Sequence, residues 1–188
     1  MSTPPSSPTY PRAEATGGEY GYLYSTVPGA ILKVGLSVFG AASIRRSDGY
    51  THNTDFFNSS LFSRVTYYDS CAGLFDIQAG YQWRDFGSNG FYSLAYPYQF
   101  EHTETGLASA RWSRSIGLFT LNASVSYRQN KDRYELSRNG KGMGDTWQPN
   151  YHTTDNVGAE FSADYNWKAG ETSLGIDYTY NHIYSTVL

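Results

Sequence analysis

Apolar and polar side chains alternate along most of this chain, and this feature constrains its fold more than any other. The pattern is clearest in residues 119–130, where Phe119, Leu121 and Val125 share one side with other apolar residues and small polar residues occupy the other side. Residues 75–84, 157–168 and 173–181 repeat it. Successive side chains of a β-strand point to opposite faces, so this period predicts strands with one apolar and one polar face.

Weaker copies of the pattern fill most of the remaining chain and bring the count to about nine strands, most of 10 or more residues. Strands of soluble sheets most often have about 5–6 residues. The predicted strands cover residues 12–18, 22–27, 36–46, 61–67, 75–84, 108–113, 119–130, 157–168 and 173–181, and the first two form a hairpin around residues 19–21.

The predicted connections alternate between short and long. The short ones contain glycine and cover residues 29–35, 70–73, 115–117 and 169–170, whereas the long ones cover residues 47–58, 86–100 and 137–152. Short turns at one end and long loops at the other are typical of outer-membrane β-barrels. Four aromatic residues near strand ends suit the interfacial girdles of such a barrel: Trp83, Trp112, Tyr165 and Trp167.

Composition is compatible with this interpretation and excludes several others. The mean hydropathy of −0.52 predicts no membrane-spanning helix, whereas a barrel strand exposes only every second residue to lipid. A net charge of −3 provides no basic surface for nucleic acid. The single Cys71 and the four histidines show no metal-ligand spacing, so no metal site and no cofactor is expected.

We therefore predict an all-β fold, an antiparallel transmembrane β-barrel segment of about 8–10 long strands over residues 11–188. A soluble β-sandwich is the alternative, but strand length, loop asymmetry and a polar face rich in Ser, Thr, Asn, Gln and Gly favour the barrel. Residues 1–10 are expected to be a disordered, proline-rich leader without the character of a secretory signal. An odd strand count cannot close a barrel of this kind, so we expect part of a larger barrel; a complete small barrel with a structural or adhesive role stays open.

Two stretches resemble a known family, and the second of them is rich in tyrosine. SDGYTHNTDF (residues 47–56) and FGSNGFYSLAYPYQFEHTET (residues 86–105) resemble the barrel of TonB-dependent cobalamin receptors, in particular those of Bacteroidetes. EATGGEYGYLYSTV resembles the first barrel hairpin of that family, LSVFGAASIRRSDGY the next ascending strand, and RQNKDRYEL a later one. The resemblance extends from Arg12 to the end of the sequence.

The resemblance implies a 22-stranded barrel in the cell outer membrane with an N-terminal plug, and uptake of a bulky, scarce nutrient, above all cobalamin. The implied partners are outer-membrane lipid, the TonB system acting through the plug, a cobalamin-like ligand and a surface lipoprotein. The plug and the later strands are expected to lie outside this sequence. Some cobalamin receptors bind calcium through an Asp-rich second long loop, but here that loop carries the single acid Asp55, so calcium is not expected.

Aromatic residues of the long loops are the candidate ligand-binding residues, because function concentrates on loops held by a rigid scaffold. Their broad faces and hydroxyl tips suit a large corrin or a sugar. The alternative is that they cover one another or form the upper girdle. The candidates are Tyr92, Tyr96, Tyr98, Phe100 and Trp147.

Charged residues on the polar face are expected to meet water or the plug, with simple hydration and neighbouring ion pairs as the favoured explanation. They are Arg45, Arg84, Arg111, Arg128, Asp76, Glu160, Asp164 and Asp177.

Catalysis is a separate candidate function, because some outer-membrane barrels are hydrolases. His102 beside Glu101 and Glu104, or His152 near Asp155, supplies an arguable base and acid. No GxSxG motif is present. We therefore predict no enzyme activity and no catalytic residue, with a barrel hydrolase as the remaining alternative.

Overall fold

A single antiparallel sheet accounts for nearly all of the regular structure. The computed structural model describes residues 12–91, 93–141 and 148–187. Each strand pairs antiparallel with the next one along the chain. The strands are β1 (Glu14–Gly17), β2 (Leu23–Lys33), β3 (Leu36–Ser47), β4 (Phe56–Asp69), β5 (Gly73–Gly87), β6 (Phe100–Ile116), β7 (Phe119–Glu135), β8 (Asn150–Trp167) and β9 (Gly170–Ser185).

The predicted all-β class, the antiparallel order and the strand number are confirmed. Nine strands are present among the described residues, and β2 to β9 are between 11 and 18 residues long. The only helical element in the described ranges is a 3-10 turn, Arg138–Gly140. The proposed leader, residues 1–10, lies outside the described residues. None of the described helical residues forms a helix long and apolar enough to cross a membrane.

The register of the ladders aligns the apolar side chains into continuous rows. One row crosses seven strands and consists of Val38, Val65, Ile77, Ala110, Val125, Ala159 and Tyr178. Its members remain open to the surroundings: Ile77 is 52% exposed and Val125 is 57% exposed. A contiguous apolar face of this extent is not stable against water, so it requires an apolar environment.

Hydrogen-bonding side chains, both neutral and charged, cover most of the opposite face. Ser43 Oγ and Ser60 Oγ lie 2.7 Å apart, and Thr105 Oγ1 donates to Asn130 Oδ1 at 2.6 Å. Asn122 accepts from Ser113 Oγ at 2.7 Å and donates to Asp164 at 3.1 Å. These bonds join neighbouring strands, so the polar face is a cross-strand ladder suited to contact with water.

Aromatic residues mark both ends of the apolar face. At the short-turn end, the indole N–H of Trp112 donates to the Ala72 carbonyl at 2.8 Å, and the rings of Phe119 and Tyr165 lie 4.7 Å apart. At the other end, the Trp83 indole N–H donates to Asp85 at 2.7 Å. The strand between Phe75 and Trp83 is about 26 Å long at about 3.3 Å per residue. At the strand tilt of about 40° in outer-membrane barrels this length covers about 20 Å along the membrane normal, most of a lipid-facing band of about 25 Å.

One predicted turn was wrong. Residues 29–33 were assigned to a short connection, but β2 continues to Lys33 and only residues 34–35 turn. Pro28 sits inside β2 opposite Ala41, and the described part of β1 reaches only as far as Thr26. Within the described chain β2 therefore has one neighbour at Pro28, and a proline is tolerated there because its missing N–H is not needed. The true turn uses Gly35, whose φ of 74° favours glycine.

The predicted asymmetry of the connections is present. Residues 34–35, 70–72, 117–118 and 168–169 form the short turns, whereas the described parts of the long loops are residues 48–55, residues 88–91 and 93–99, and residues 136–141 and 148–149. Because adjacent strands run antiparallel, all three long loops lie at the same edge of the sheet. That edge holds the described candidate ligand-binding residues, Tyr96, Tyr98 and Phe100.

Candidate ligand-binding site at the long-loop edge

The three long loops fold onto one another instead of standing apart. We call residues 48–55, 88–91, 93–99 and 136–141 the loop cap. Backbone bonds connect them: Asn89 N donates to Asn53 O at 3.1 Å, and Arg138 N donates to Tyr98 O at 2.7 Å. Most of the few buried side chains among the described residues lie in the loop cap, including Gln99 and Ser137. The edge of the sheet is therefore a structured surface.

Asn53 joins two of these loops from a buried position. Its side-chain amide donates to Gln99 O at 2.6 Å and to Pro97 O at 3.1 Å, and its backbone carbonyl accepts from Asn89 N at 3.1 Å. Its φ of 54° lies in the left-handed region, which asparagine adopts more readily than most residues. One side chain thus fixes the relative position of the first and second long loops.

Replacing Asn53 with alanine is expected to release the second long loop. The substitution removes two hydrogen bonds to buried carbonyls and adds left-handed backbone strain, for a local cost of about 2–3 kcal/mol. Asn53→Gly is the matched control, because it loses the same bonds without the strain. Proteinase K cleavage in residues 88–99 on intact cells should be fastest for Asn53→Ala, intermediate for Asn53→Gly and slowest for the unaltered protein. Equal rates in all three would contradict the role of Asn53.

Arg138 anchors the third long loop to the first. Its guanidinium Nη1 donates to both carboxylate oxygens of Asp55, at 2.8 and 2.9 Å. Its Cζ lies 4.3 Å from the centre of the Phe100 ring. Phe100 is 5% exposed and is the one buried hydrophobic side chain in the described ranges. The ion pair and the cation–π contact together close the cap over the start of β6.

Tyr98 is held on two sides. The His52 ring meets its edge with centroids 4.9 Å apart, and Lys141 Nζ lies 4.4 Å from the centre of its ring. These contacts belong to three different loops, which sequence alone could not bring together. Tyr98 and Phe100 thus pack within the cap, and direct ligand contact by either residue stays a prediction.

Tyr96 is the described candidate that faces outward, with 44% of its surface exposed. Other large apolar side chains are exposed on the same loops and were not singled out from the sequence: Tyr50, Phe91 and Leu94. They lack periodicity, so only the folded loops identify them as part of this surface. Tyr92 and Trp147, the remaining candidates, lie outside the described residues.

His102 lies on the apolar face at the long-loop end of the sheet, with its ring 4.4 Å from the ring of Trp83. Its Nδ1 is 2.6 Å from Asp85 Oδ1, and its Nε2 is 3.2 Å from Glu104 Oε1. Tyr81 donates its hydroxyl to the other oxygen of Glu104 at 2.9 Å. Both ring nitrogens are thus engaged by carboxylates, and no hydroxyl or thiol from the described residues bonds to this histidine. A recess of about 800 Å³ opens beside it.

The pairing of His152 with Asp155 weighed from the sequence was wrong. An odd separation along β8 places them on opposite faces of the sheet. His152 lies opposite Asp132 in the register, whereas Asp155 faces His182 with Nδ1–Oδ2 at 3.9 Å. Within the described ranges, no group of three or more His, Cys, Asp or Glu side chains is arranged to hold a metal ion.

Comparison with known proteins identifies the fold. The chain is similar in structure to the copper transporter OprC, with a TM-score of 0.67 and 12% sequence identity, over 94% of this chain. The chain spans 29% of the length of that transporter. No protein-family model and no curated protein matches the sequence. At this identity the likeness concerns the fold alone, and the nine-stranded sheet corresponds to a segment of that larger chain.

Proposed function

We propose that this sheet is part of the wall of an outer-membrane transporter barrel of the TonB-dependent kind. The observation that carries the proposal is the match of 94% of the chain to a segment of a transporter. The two-faced sheet supports it, because the exposed apolar row needs lipid and the opposite ladder needs water. In this arrangement the apolar face contacts the hydrocarbon of the outer membrane.

The loop cap is the proposed entrance for the transported ligand. Long loops at the strand ends lie on the outer side of such barrels, and here they are tied together by Asn53 and Arg138. Exposed aromatic side chains, Tyr96 among them, offer broad faces to a bulky solute. Cobalamin is the ligand that we propose, on the resemblance of residues 47–56 and 86–105 to cobalamin receptors. A plug would couple such a barrel to TonB, and a surface lipoprotein could bind over the cap.

Tyr96→Ala is expected to weaken cobalamin binding about tenfold, because one stacked aromatic face contributes about 1 kcal/mol or somewhat more. Tyr96→Phe keeps that face and should retain most of the affinity. Tyr178→Ala removes a tyrosine from the apolar face and is the matched control, with no expected effect on binding. The measurement is equilibrium binding of radiolabelled cyanocobalamin to outer membranes that contain the full-length protein.

Two results of this experiment would contradict the proposal at different levels. Saturable binding of copper instead of cobalamin would overturn the ligand and keep the transporter. Absence of the protein from the outer-membrane fraction would overturn the transporter itself.

A further inference from the structure

Two arginines on the polar face flank a neutral residue. Arg45 lies directly opposite Asn58 on the neighbouring strand, and Asn58 lies directly opposite Arg84 on the next. Across the described ranges, neither guanidinium forms an ion pair with a carboxylate. Arg84 Nε makes a long contact of 3.4 Å to Thr103 Oγ1, and Arg45 lies 5.3 Å from the centre of the Tyr24 ring.

The same face contains an arginine that has a carboxylate partner. Arg64 Nε donates to Asp76 Oδ2 on the neighbouring strand at 2.8 Å. Arg45 and Arg84, which we call the upper arginines, instead have the neutral amide of Asn58 on the strand between them. This contrast indicates that the upper arginines need an anion that the described residues do not supply.

The spacing of the strands allows both upper arginines to reach one group. Neighbouring strands lie about 4.8 Å apart, so the backbones of Arg45 and Arg84 are separated by about 10 Å, within reach of two side chains that converge from opposite sides. Like charges at this distance repel each other unless an anion lies between them. A tetrahedral oxyanion presents oxygens to both sides, whereas a carboxylate places both of its oxygens along one edge.

A recess of about 450 Å³ lies at this position. It is lined by Arg45, Asn58 and Arg84 together with Thr54, Gly87 and three phenylalanines, which places it beside the first long loop of the loop cap. Two carboxylates also border it, but each is already engaged: Asp55 by Arg138, and Asp85 by His102.

Asn58 adds a further polar group to the recess. Its Oδ1 is buried and accepts no hydrogen bond from any described residue. A side-chain amide carries two donors as well as an acceptor, so rotation of the amide directs N–H groups to the space between the guanidiniums. The row thus offers donors from three neighbouring strands.

We propose that Arg45, Asn58 and Arg84 bind the phosphate group of a solute that enters through the loop cap. The position favours a solute over another protein segment, because Thr54 and Asp55 of the first long loop line the recess. The proposal rests on the transporter function above for its biological role, since it assigns a phosphorylated substrate class to the same entrance. The binding itself is independent of uptake and of cobalamin.

The test uses the full-length protein in detergent micelles with inorganic phosphate as the probe. Titration calorimetry gives the affinity, and the midpoint of thermal unfolding reports binding separately, because a ligand that binds only the folded state raises it. Arg84→Gln removes one cation, and Asn58→Asp supplies the internal carboxylate that Asp76 supplies below. Each should weaken phosphate binding about tenfold or more, and each should abolish the rise in the midpoint. Arg64→Gln, at the arginine of the same face that is already paired with Asp76, is the matched control and should keep both the affinity and the rise in the midpoint.

Other outcomes overturn the proposal. If phosphate raised the midpoint of thermal unfolding equally in the unaltered protein and in all three variants, the rise would be a general salt effect. No rise in any of them, together with loss of stability in Arg84→Gln, would show that the pair holds a carboxylate from another segment of the chain. A protein that binds phosphate as expected but neither reaches the outer membrane nor takes up a solute would contradict the proposed function and leave this site intact.

Discussion

Replacing Val125 with arginine is expected to destabilise the membrane-inserted protein by about 2–4 kcal/mol, the cost of a cation near the middle of the lipid-facing band of a barrel. Val125 lies between Ala110 and Ala159 in the central apolar row and is 57% exposed. No acidic side chain neighbours it in that row, so the charge would meet hydrocarbon. The free energy of unfolding in urea, measured in lipid vesicles, gives the magnitude.

Ser126→Arg is the matched control, one residue further along β7. Ser126 lies opposite Ser109 on one side and Gly158 on the other, on the polar face. An arginine there remains in water, and the expected change is within about 0.5 kcal/mol. If the two variants lost equal stability, or if Ser126→Arg lost more, the assignment of the faces would be wrong.

Phe100→Ala is expected to loosen the loop cap at a cost of about 3 kcal/mol, since it removes a buried ring and leaves a cavity. The ring lies beneath Arg138 at 4.3 Å and near Arg133 at 5.8 Å, so its loss also frees the guanidinium that joins the first and third long loops. Hydrogen exchange followed by mass spectrometry should show lost protection in residues 88–99 and 136–141, with little change in β9.

The Phe100→Leu variant separates the effect of filling the buried volume from the effect of the aromatic ring. Leucine fills much of the same volume but provides no π-face for Arg138, so most of the protection should remain. Full loss of protection in Phe100→Leu would mean that the cation–π contact holds the cap. Unchanged protection in Phe100→Ala would mean that the cap does not depend on this residue.

The strands and their faces could be predicted because each depends on the neighbouring sequence alone. In β7 and β8 the parity of a residue number determines whether a side chain lies with Val125 or with Ser126, and the ladders confirm that assignment. The β2–β3 turn could not be placed in the same way. Pro28 and Gly29 are common turn residues, and their presence inside β2 depends on which strand pairs on each side.

The loop cap could not be predicted from the sequence either, but for a different reason. The Arg138–Asp55 ion pair joins residues 83 positions apart, and the Asn53–Gln99 bond joins residues 46 positions apart, in loops without periodicity. Phe100 was grouped with the loop aromatics on composition, whereas the structure makes it the first residue of β6 and buries it. The four arginines named from the sequence lie on the polar face, but Arg64 lies there as well and was not among them. The carboxylate partner of Arg64 follows only from the folded sheet.

Site-directed spin labelling along β7 tests the two-faced membrane wall most directly. Single cysteines at positions 121 to 128, in a Cys71→Ser background of the full-length protein, carry nitroxide labels in lipid vesicles. Labels at Leu121, Ala123, Val125 and Tyr127 are expected to collide mainly with lipid-soluble oxygen. Labels at Asn122, Ser124, Ser126 and Arg128 should collide mainly with a water-soluble nickel chelate. If label accessibility to oxygen and to the nickel chelate showed no period of two residues, or if the two sets were exchanged, the two-faced membrane wall would be contradicted.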